Sequence, residues 1–415
     1  MADERKIAAC LAVGSELLGD RRLDSNSLTI TRALARYGVT VEEKRVVGDS
    51  VERMAVAIRD LLSRFDLVVV TGGLGPTADD VTRDAVARAL DRSIEPDPEV
   101  EGWIRARYSD LGRTMPPICT VMGRVVAGSR ALRNDRGSAP GLMVEDDGHL
   151  LAVFPGVPWE MEEMLERDLL PLVEGWNPGW ERVTRTLLLG GVVESDTEEE
   201  IRHLYDRFGR ENITILASYG VLRLVLSADG DKGAARSRVD TMDAAFREVL
   251  GDDVAGVDVD GLADVVLESL RRRRETLAVA ESCTGGLVSA CITDVPGASE
   301  AFLGGAVTYT NNAKEDLVGV PHGLLVEHGA VSEEVARAMA AGVRERFSAD
   351  WGIGITGVAG PTGGSAEKPV GLVHWAVAGP GGVEARHRVF LGDRAIVREW
   401  SLNAALDLLR RELMG

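Results

Sequence analysis

Asp66-Leu67-Val68-Val69-Val70-Thr71-Gly72-Gly73-Leu74-Gly75-Pro76-Thr77 decides the fold: four apolar residues in succession, three of them β-branched, run straight into a glycine-rich turn. A strand that is apolar at every position has no solvent face, which is the pattern of a parallel strand covered by helices on both sides. Outward from it the pattern repeats. Ile7-Ala8-Ala9-Cys10-Leu11-Ala12-Val13 ends in Gly14-Ser15-Glu16, and an amphipathic helix is expected from Asn26 to Tyr37. In such folds ligands gather at the carboxyl ends of the strands, which here are the Gly14 and Gly72 turns.

Beyond Trp176-Asn177-Pro178-Gly179-Trp180, which reads as a boundary, a smaller α+β unit is expected: strands near 186–189, 213–216 and 222–226, and helices near 197–208 and 234–250. Strand–helix alternation resumes near Gly256 and is expected to continue to the C-terminus. The fold class is therefore α/β: two α/β domains with largely parallel sheets, spanning 1–172 and 256–415, joined by a small α+β domain at 173–255.

Composition narrows the partners. The 47 basic and 66 acidic residues leave a net charge of −19, which argues against a general nucleic-acid or anionic-membrane binder. The one basic run, Arg271-Arg272-Arg273-Arg274, follows apolar residues at helical spacing and suits a solvated helix C-terminus. Four cysteines, at 10, 119, 283 and 291, form no Cys-x-x-Cys pair, and the six histidines show no metal-ligand spacing. Met-Ala-Asp-Glu-Arg-Lys lacks the apolar centre of a signal peptide and no run is apolar enough to span a bilayer, so a cytoplasmic location is expected.

Two turns carry chemistry. Ala280-Glu281-Ser282-Cys283-Thr284-Gly285-Gly286 sets three hydroxyl or thiol groups between a strand and a helix. Such a turn exposes a side chain and aims backbone N–H groups at what it attacks; the alternative is that Ser282 or Thr284 caps the helix. No histidine lies near. Lysine can act as base when desolvation lowers its pKa, and Lys314, in Thr308-Tyr309-Thr310-Asn311-Asn312-Ala313-Lys314, is the candidate, with Tyr309 able to relay the proton. Cys283 stays open as an alternative nucleophile. At the N-terminal end, Gly72, Gly73 and Gly75 could bind phosphate through backbone N–H groups, and Asp79 with Asp80 could hold a divalent cation. Against this, Thr77-x-x-Asp80 fits a helix capping box.

Ala280–Gly286, Val307–Lys314, His328-Gly329-Ala330-Val331-Ser332, Gly357-Val358-Ala359-Gly360-Pro361 and Glu367-Lys368-Pro369-Val370-Gly371 resemble the nicotinamide-nucleotide amidase domain of the CinA family over residues 256–415. The resemblance implies hydrolysis of nicotinamide mononucleotide to nicotinate mononucleotide and ammonia without a cofactor. Ser282 would be nucleophile, Lys314 general base and acid, and Tyr309 an assistant. Thr284, Gly285, Gly286, Thr356, Gly357 and Gly360 would line the substrate site, with Arg394 a phosphate partner. The Gly72 turn, with Gly14-Ser15-Glu16-Leu17-Leu18, Asp24-Ser25-Asn26-Ser27, Gly137–Gly141 and Phe154–Pro158, resembles the molybdopterin-binding-like (MoaB-like) domain at the front of CinA proteins. Ser25 and Phe154 depart from the threonine and leucine common there. This resemblance implies metal-dependent ADP-ribose pyrophosphatase activity at Glu16, Asn26, Gly72, Gly73, Gly75, Thr77, Asp79 and Asp80, with a divalent cation such as Mg or Co, and K. The middle segment is similar to a KH-type domain, without the basic face RNA binding needs. A homodimer is implied, with no nucleic-acid or membrane partner. The competing reading is a regulatory protein of the competence and DNA-damage response whose N-terminal module only holds a nucleotide or pterin.

Overall fold

The computed structural model describes residues 5–20 and 22–414. They divide into two compact units: the first runs to Val183 and takes in Asp229–Arg236, and the second holds Thr184–Ala228 and Ser237 onward.

The first unit is built on a six-stranded sheet in the order Thr40–Val47, Ile7–Val13, Leu67–Thr71, His149–Phe154, Gly141–Asp146, Arg130–Leu132. The first four strands are parallel and the last two antiparallel. Side chains alternate across a strand, so Val68 and Val70 pack with helices Val51–Leu62 and Thr82–Leu90, while Leu67 and Val69 join the core beneath Asn26–Ala35 and Pro158–Met164. Every residue of Leu67–Thr71 is buried, the physical reason its sequence reads apolar throughout. The glycine turns at Gly14 and Gly72 lie at neighbouring carboxyl ends, where Gly14 N donates to Val47 O and Gly72 N to Phe154 O.

The second unit contains two sheets. The four-stranded one, in the order Ile213–Ser218, Val221–Asp231, Trp180–Gly190, Val254–Val257, packs on helices Glu194–Phe208 and Ala234–Leu250 through Leu187, Ile201, Leu224 and Phe246. The five-stranded one runs Phe302–Val307, Leu277–Glu281, Trp351–Gly357, Leu372–Gly379, Gly382–Val389. Its first three strands are parallel, but the last two form an antiparallel hairpin, so strand–helix alternation does not run unbroken to the C-terminus. Only Pro380 and Gly381 separate the hairpin strands, too few residues for the crossover that a parallel pairing requires.

Helices Leu262–Arg273 and Arg394–Met414 cover one face of this sheet, and Glu333–Phe347 the other. The close approach of that last helix explains a glycine pair: a Cβ on Gly352 would stand 2.2 Å from Ala340 O, and one on Gly354 2.4 Å from Ala336 O. Arg271–Arg273 form the last turn of Leu262–Arg273, as the basic run suggests. Among the described residues no helix is long and apolar enough to cross a membrane.

Candidate functional site

Strand Leu277–Glu281 delivers Ser282 to the carboxyl edge of the sheet, where its N–H donates to Ile355 O on the adjacent strand at 3.0 Å. The chain then needs two left-handed residues, Gly285 (φ 59°) and Gly286 (φ 95°), before helix Leu287–Thr293 begins, a conformation glycine adopts without a Cβ penalty. Gly286 is the residue before the helix and no side chain of its own caps it. Ser282 and Thr284 are therefore not the helix cap.

Glu281 does that work, and sequence reasoning passed over it. Its carboxylate is fully buried and accepts from Gly286 N (2.9 Å), Val288 N (3.1 Å), Ser289 N (2.9 Å) and Ser289 Oγ (2.7 Å). The first-turn N–H groups expected to face a substrate are thus already satisfied from inside the protein, since a helix start leaves only a few free donors. A glutamate closing an apolar strand before a glycine turn was the available signal. Arg398 was also missed; its Nε and Nη2 donate to Thr284 O at 3.1 and 2.6 Å and hold the far side of the turn.

Lys314 comes from helix Asn311–Val318, whose start is capped by the Thr310 hydroxyl accepting from Ala313 N. Its side chain is 1% exposed, and Nζ donates to Ser282 Oγ at 3.1 Å and to Thr308 O at 2.8 Å. Burial pushes the Lys314 ammonium below the ordinary lysine value, because desolvation penalises the charged form. The pair is a hydroxyl beside an amine whose charged form burial disfavours, a geometry in which a lysine can serve a hydroxyl as base. Cys283 lies in the hydrophobic core, and burial raises its thiol to about 12. It stays protonated near neutrality and is no competing nucleophile.

The remaining residues of this constellation separate into two groups. Thr284 is buried with its Oγ1 unpartnered, and Thr356 donates to Ala330 O at 2.7 Å, tying the Ala330 loop to the strand end. Gly357 and Gly360 serve close packing: a Cβ would come 2.7 Å from Leu372 O and 2.5 Å from Val370 Cγ1, respectively. Tyr309 is exposed, and its hydroxyl accepts from Arg394 Nη2 at 2.8 Å while Arg394 Nη1 donates to Gly360 O at 3.1 Å. Tyr309 thus meets Arg394 and makes no hydrogen bond to Ser282 or Lys314.

At the first unit's strand ends lies a cavity of about 390 Å³. Gly72, Gly73 and Gly75 line it, as do Glu16, Asn26, Thr77, Asp79 and Asp80. A Cβ on Gly72 (φ 103°) would stand 2.4 Å from Val13 O, so only glycine fits where the two strand ends meet. The capping-box alternative fails on geometry. Asp80 Oδ2 does accept from Thr77 N at 2.9 Å, one of the two bonds of such a box, but no helix begins there: helix Thr82–Leu90 starts after Val81 without a side-chain cap. The Thr77 hydroxyl sits 2.5 Å from an oxygen of each of Asp79 and Asp80 and holds the Asp79 carboxyl below its ordinary value. Asn26 Nδ2 donates to Gly156 O at 3.0 Å, leaving its buried Oδ1 unpartnered, and Glu16 packs over Gly14.

No group of three His, Cys, Asp or Glu side chains suited to a metal occurs among the described residues. Two adjacent carboxylates remain compatible with a hard cation that takes its other ligands from phosphate and water. Behind the glycine turn, Arg83 is buried and donates to Leu74 O at 2.9 Å and Pro140 O at 3.1 Å. Burial lowers it to about 10, so it remains a cation at neutral pH, a feature hidden in the sequence by an ordinary helix position.

Comparison with known proteins matches both regions. Residues 259–413 match the family model described as CinA C-terminal domain, and residues 9–175 the one described as "Probable molybdopterin binding domain". A CinA-like protein of Solibacter usitatus is 41% identical over 418 residues, covering 98% of each chain. One of Acidobacterium capsulatum is 41% identical over 413 residues, covering 98% of this chain and 100% of the relative. The solved structure of competence/damage inducible protein CihA from Agrobacterium tumefaciens aligns with 37% of this chain and 94% of its own, at 40% identity and TM-score 0.36. Similarity at this level along nearly the whole length places the chain in the CinA-like family, with a molybdopterin-binding-type region in front of a CinA C-terminal domain.

Proposed function

We propose that the second unit deamidates nicotinamide mononucleotide to nicotinate mononucleotide and ammonia. The observation that carries this reading is the buried Lys314 ammonium nitrogen 3.1 Å from Ser282 Oγ. Neutral Lys314 takes the Ser282 proton as Oγ attacks the carboxamide carbon, and the protonated lysine returns it to the departing nitrogen, releasing ammonia. The resulting acyl ester is hydrolysed by water that Lys314 deprotonates, which restores Ser282 and yields the carboxylate. Thr308 O orients Nζ throughout. Arg394, at the exposed side with Tyr309, is the partner for the substrate phosphate. Ammonia release from nicotinamide mononucleotide, with nicotinate mononucleotide as co-product, is the test. Folded protein that releases none favours the alternative reading, a nucleotide-binding regulatory protein of the competence and DNA-damage response.

The first unit supports a second activity, hydrolysis of ADP-ribose to AMP and ribose 5-phosphate. A glycine turn backed by the buried Arg83 cation suits a diphosphate, and Asp79 with Asp80 would hold a divalent cation such as Mg or Co. When bound, that ion neutralises charge building on the phosphate oxygens. The chain's own part is to seat the diphosphate against Gly72–Gly75 and to fix both carboxylates through Thr77. Metal-dependent AMP formation tests it.

A further inference from the structure

The second unit holds another cavity, of about 330 Å³, which the proposed chemistry leaves unused. Three aromatic rings line it in succession. Trp375 and Phe390 have centroids 5.8 Å apart and planes 24° from parallel; Phe390 and Trp400 follow at 5.6 Å and 22°. The rings come from strand Leu372–Gly379, from the residue just past strand Gly382–Val389, and from helix Arg394–Met414, so three elements hold the platform rigid.

The tip joining strands Ile213–Ser218 and Val221–Asp231 closes one side. Asn403 Nδ2 donates to Tyr219 O at 2.6 Å, and a Cβ on Gly220 would stand 3.2 Å from the Trp400 ring. Trp375 is 7% exposed, and its Nε1 has no hydrogen-bond partner, although buried donors are almost always paired.

Charge gives the site a sign. In a chain of net charge −19, the Arg388 guanidinium lies 5.9 Å over the Trp400 ring centroid and meets no carboxylate among the described residues. Arg411 is already held by Asp407 and Asp253, and Arg386, which also lines the cavity, by Glu384, so Arg388 is the cation available to a ligand. Glu412 and Asp407 line the same cavity, Asp407 paired with Arg410 and Arg411, and the carboxylates disfavour a bare anion. An occupant therefore needs ring stacking as well as charge, and aromatic platforms with a guanidinium supply both.

We infer that this cavity binds a planar aromatic anion of the mononucleotide class, its ring against Trp400, the half-buried end of the aromatic row, and its phosphate on Arg388. The inference is independent of the activities proposed above. The probe is 8-azidoadenosine 5′-monophosphate, photolysed with the full chain and followed by peptide mapping, with AMP and adenosine as competitors. Because each labelled peptide is read separately, nucleotide bound at the two proposed active sites does not confuse the result.

Label is expected on peptides carrying residues 375–390 or 400–412 and not only on those carrying 391–399, where Arg394 belongs to the proposed amidase site, with AMP protecting them better than adenosine. Arg388→Gln, an exposed change that leaves the aromatic platform intact, should weaken AMP protection of those peptides by about tenfold or more and leave adenosine protection unaltered. Trp400→Leu should weaken protection by both competitors. The inference is overturned if label appears only on peptides around Gly72–Asp80, Ser282–Lys314 or Arg394, if AMP and adenosine protect equally, or if self-association of the chain covers the cavity and excludes the probe.

Discussion

Lys314 Nζ stands between two oxygens, 3.1 Å from Ser282 Oγ and 2.8 Å from Thr308 O, in a position that water scarcely reaches. The backbone carbonyl fixes the amine and the hydroxyl receives its remaining attention. Ser282→Ala should therefore lower deamidation by roughly 10⁴-fold or more, as removal of a nucleophile does, with little change in melting temperature because Ser282 caps no helix. Near-wild-type ammonia release from this variant would end the serine mechanism.

The buried lysine also makes the protein pH-sensitive in a defined direction. Its folded pKa lies below the ordinary 10.5, so the unfolded chain binds more protons at this position. Its contribution to stability rises with pH between the lowered value and 10.5, and is unfavourable below that window. Lys314→Met should be inactive yet more heat-resistant than wild type at neutral pH, with the gain shrinking toward pH 10. Deamidation should rise with pH through the lowered lysine pKa. Melting curves of the two proteins at both pH values, with a pH–rate profile, check this; a gain that grows with pH would contradict it.

Glu281 holds the turn that carries Ser282. Glu281→Ala leaves three buried N–H groups and the Ser289 hydroxyl without their acceptor, and should cost about 3 kcal/mol. Glu281→Gln keeps the shape but leaves one acceptor oxygen, its NH2 facing either the Gly286 and Val288 N–H groups or the Ser289 N–H; kcat should fall while KM for nicotinamide mononucleotide holds. Denaturant melts and steady-state kinetics separate the two effects, and an unchanged kcat in Glu281→Gln would remove the positioning role.

Cys283 offers the complementary control. With its thiol raised to about 12 inside the core, Cys283→Ala should retain deamidation and lose about 1 kcal/mol of stability from the vacated volume. Native protein should resist iodoacetamide at this position. Inactivation by Cys283→Ala in a variant that still folds would return the cysteine to the mechanism.

In the first unit, Asp79→Ala and Asp80→Ala should each abolish metal-dependent AMP formation from ADP-ribose while ammonia release continues. Neither carboxylate caps helix Thr82–Leu90, so helix stability does not compete as an explanation. Unimpaired hydrolysis in both variants would show that these carboxylates hold no catalytic cation.

Much of the architecture was legible along the chain because local periodicity reports burial. The apolar run Leu67–Val70 announced a strand covered on both faces, and the glycine turns after Val13 and Thr71 marked the strand ends where a cavity forms. The antiparallel hairpin at Leu372–Gly379 and Gly382–Val389 was less legible, since strand direction depends on the length of a connection and not on the strand residues themselves.

The sequence by itself determined the residue types on which the proposed chemistry rests, Ser282, Lys314, Asp79 and Asp80, and the turns that carry them, because glycine, β-branched runs and helix-starting residues act over a few neighbours. Only the tertiary structure decided their environment. It placed Lys314, 32 residues away, against Ser282, buried Cys283 so that its thiol stays protonated, and turned Glu281 inward onto the helix start. It also drew Tyr309 toward Arg394, 85 residues away. Desolvation and hydrogen-bond partnership are set by what packs around a side chain, and those neighbours arrive from distant parts of the chain.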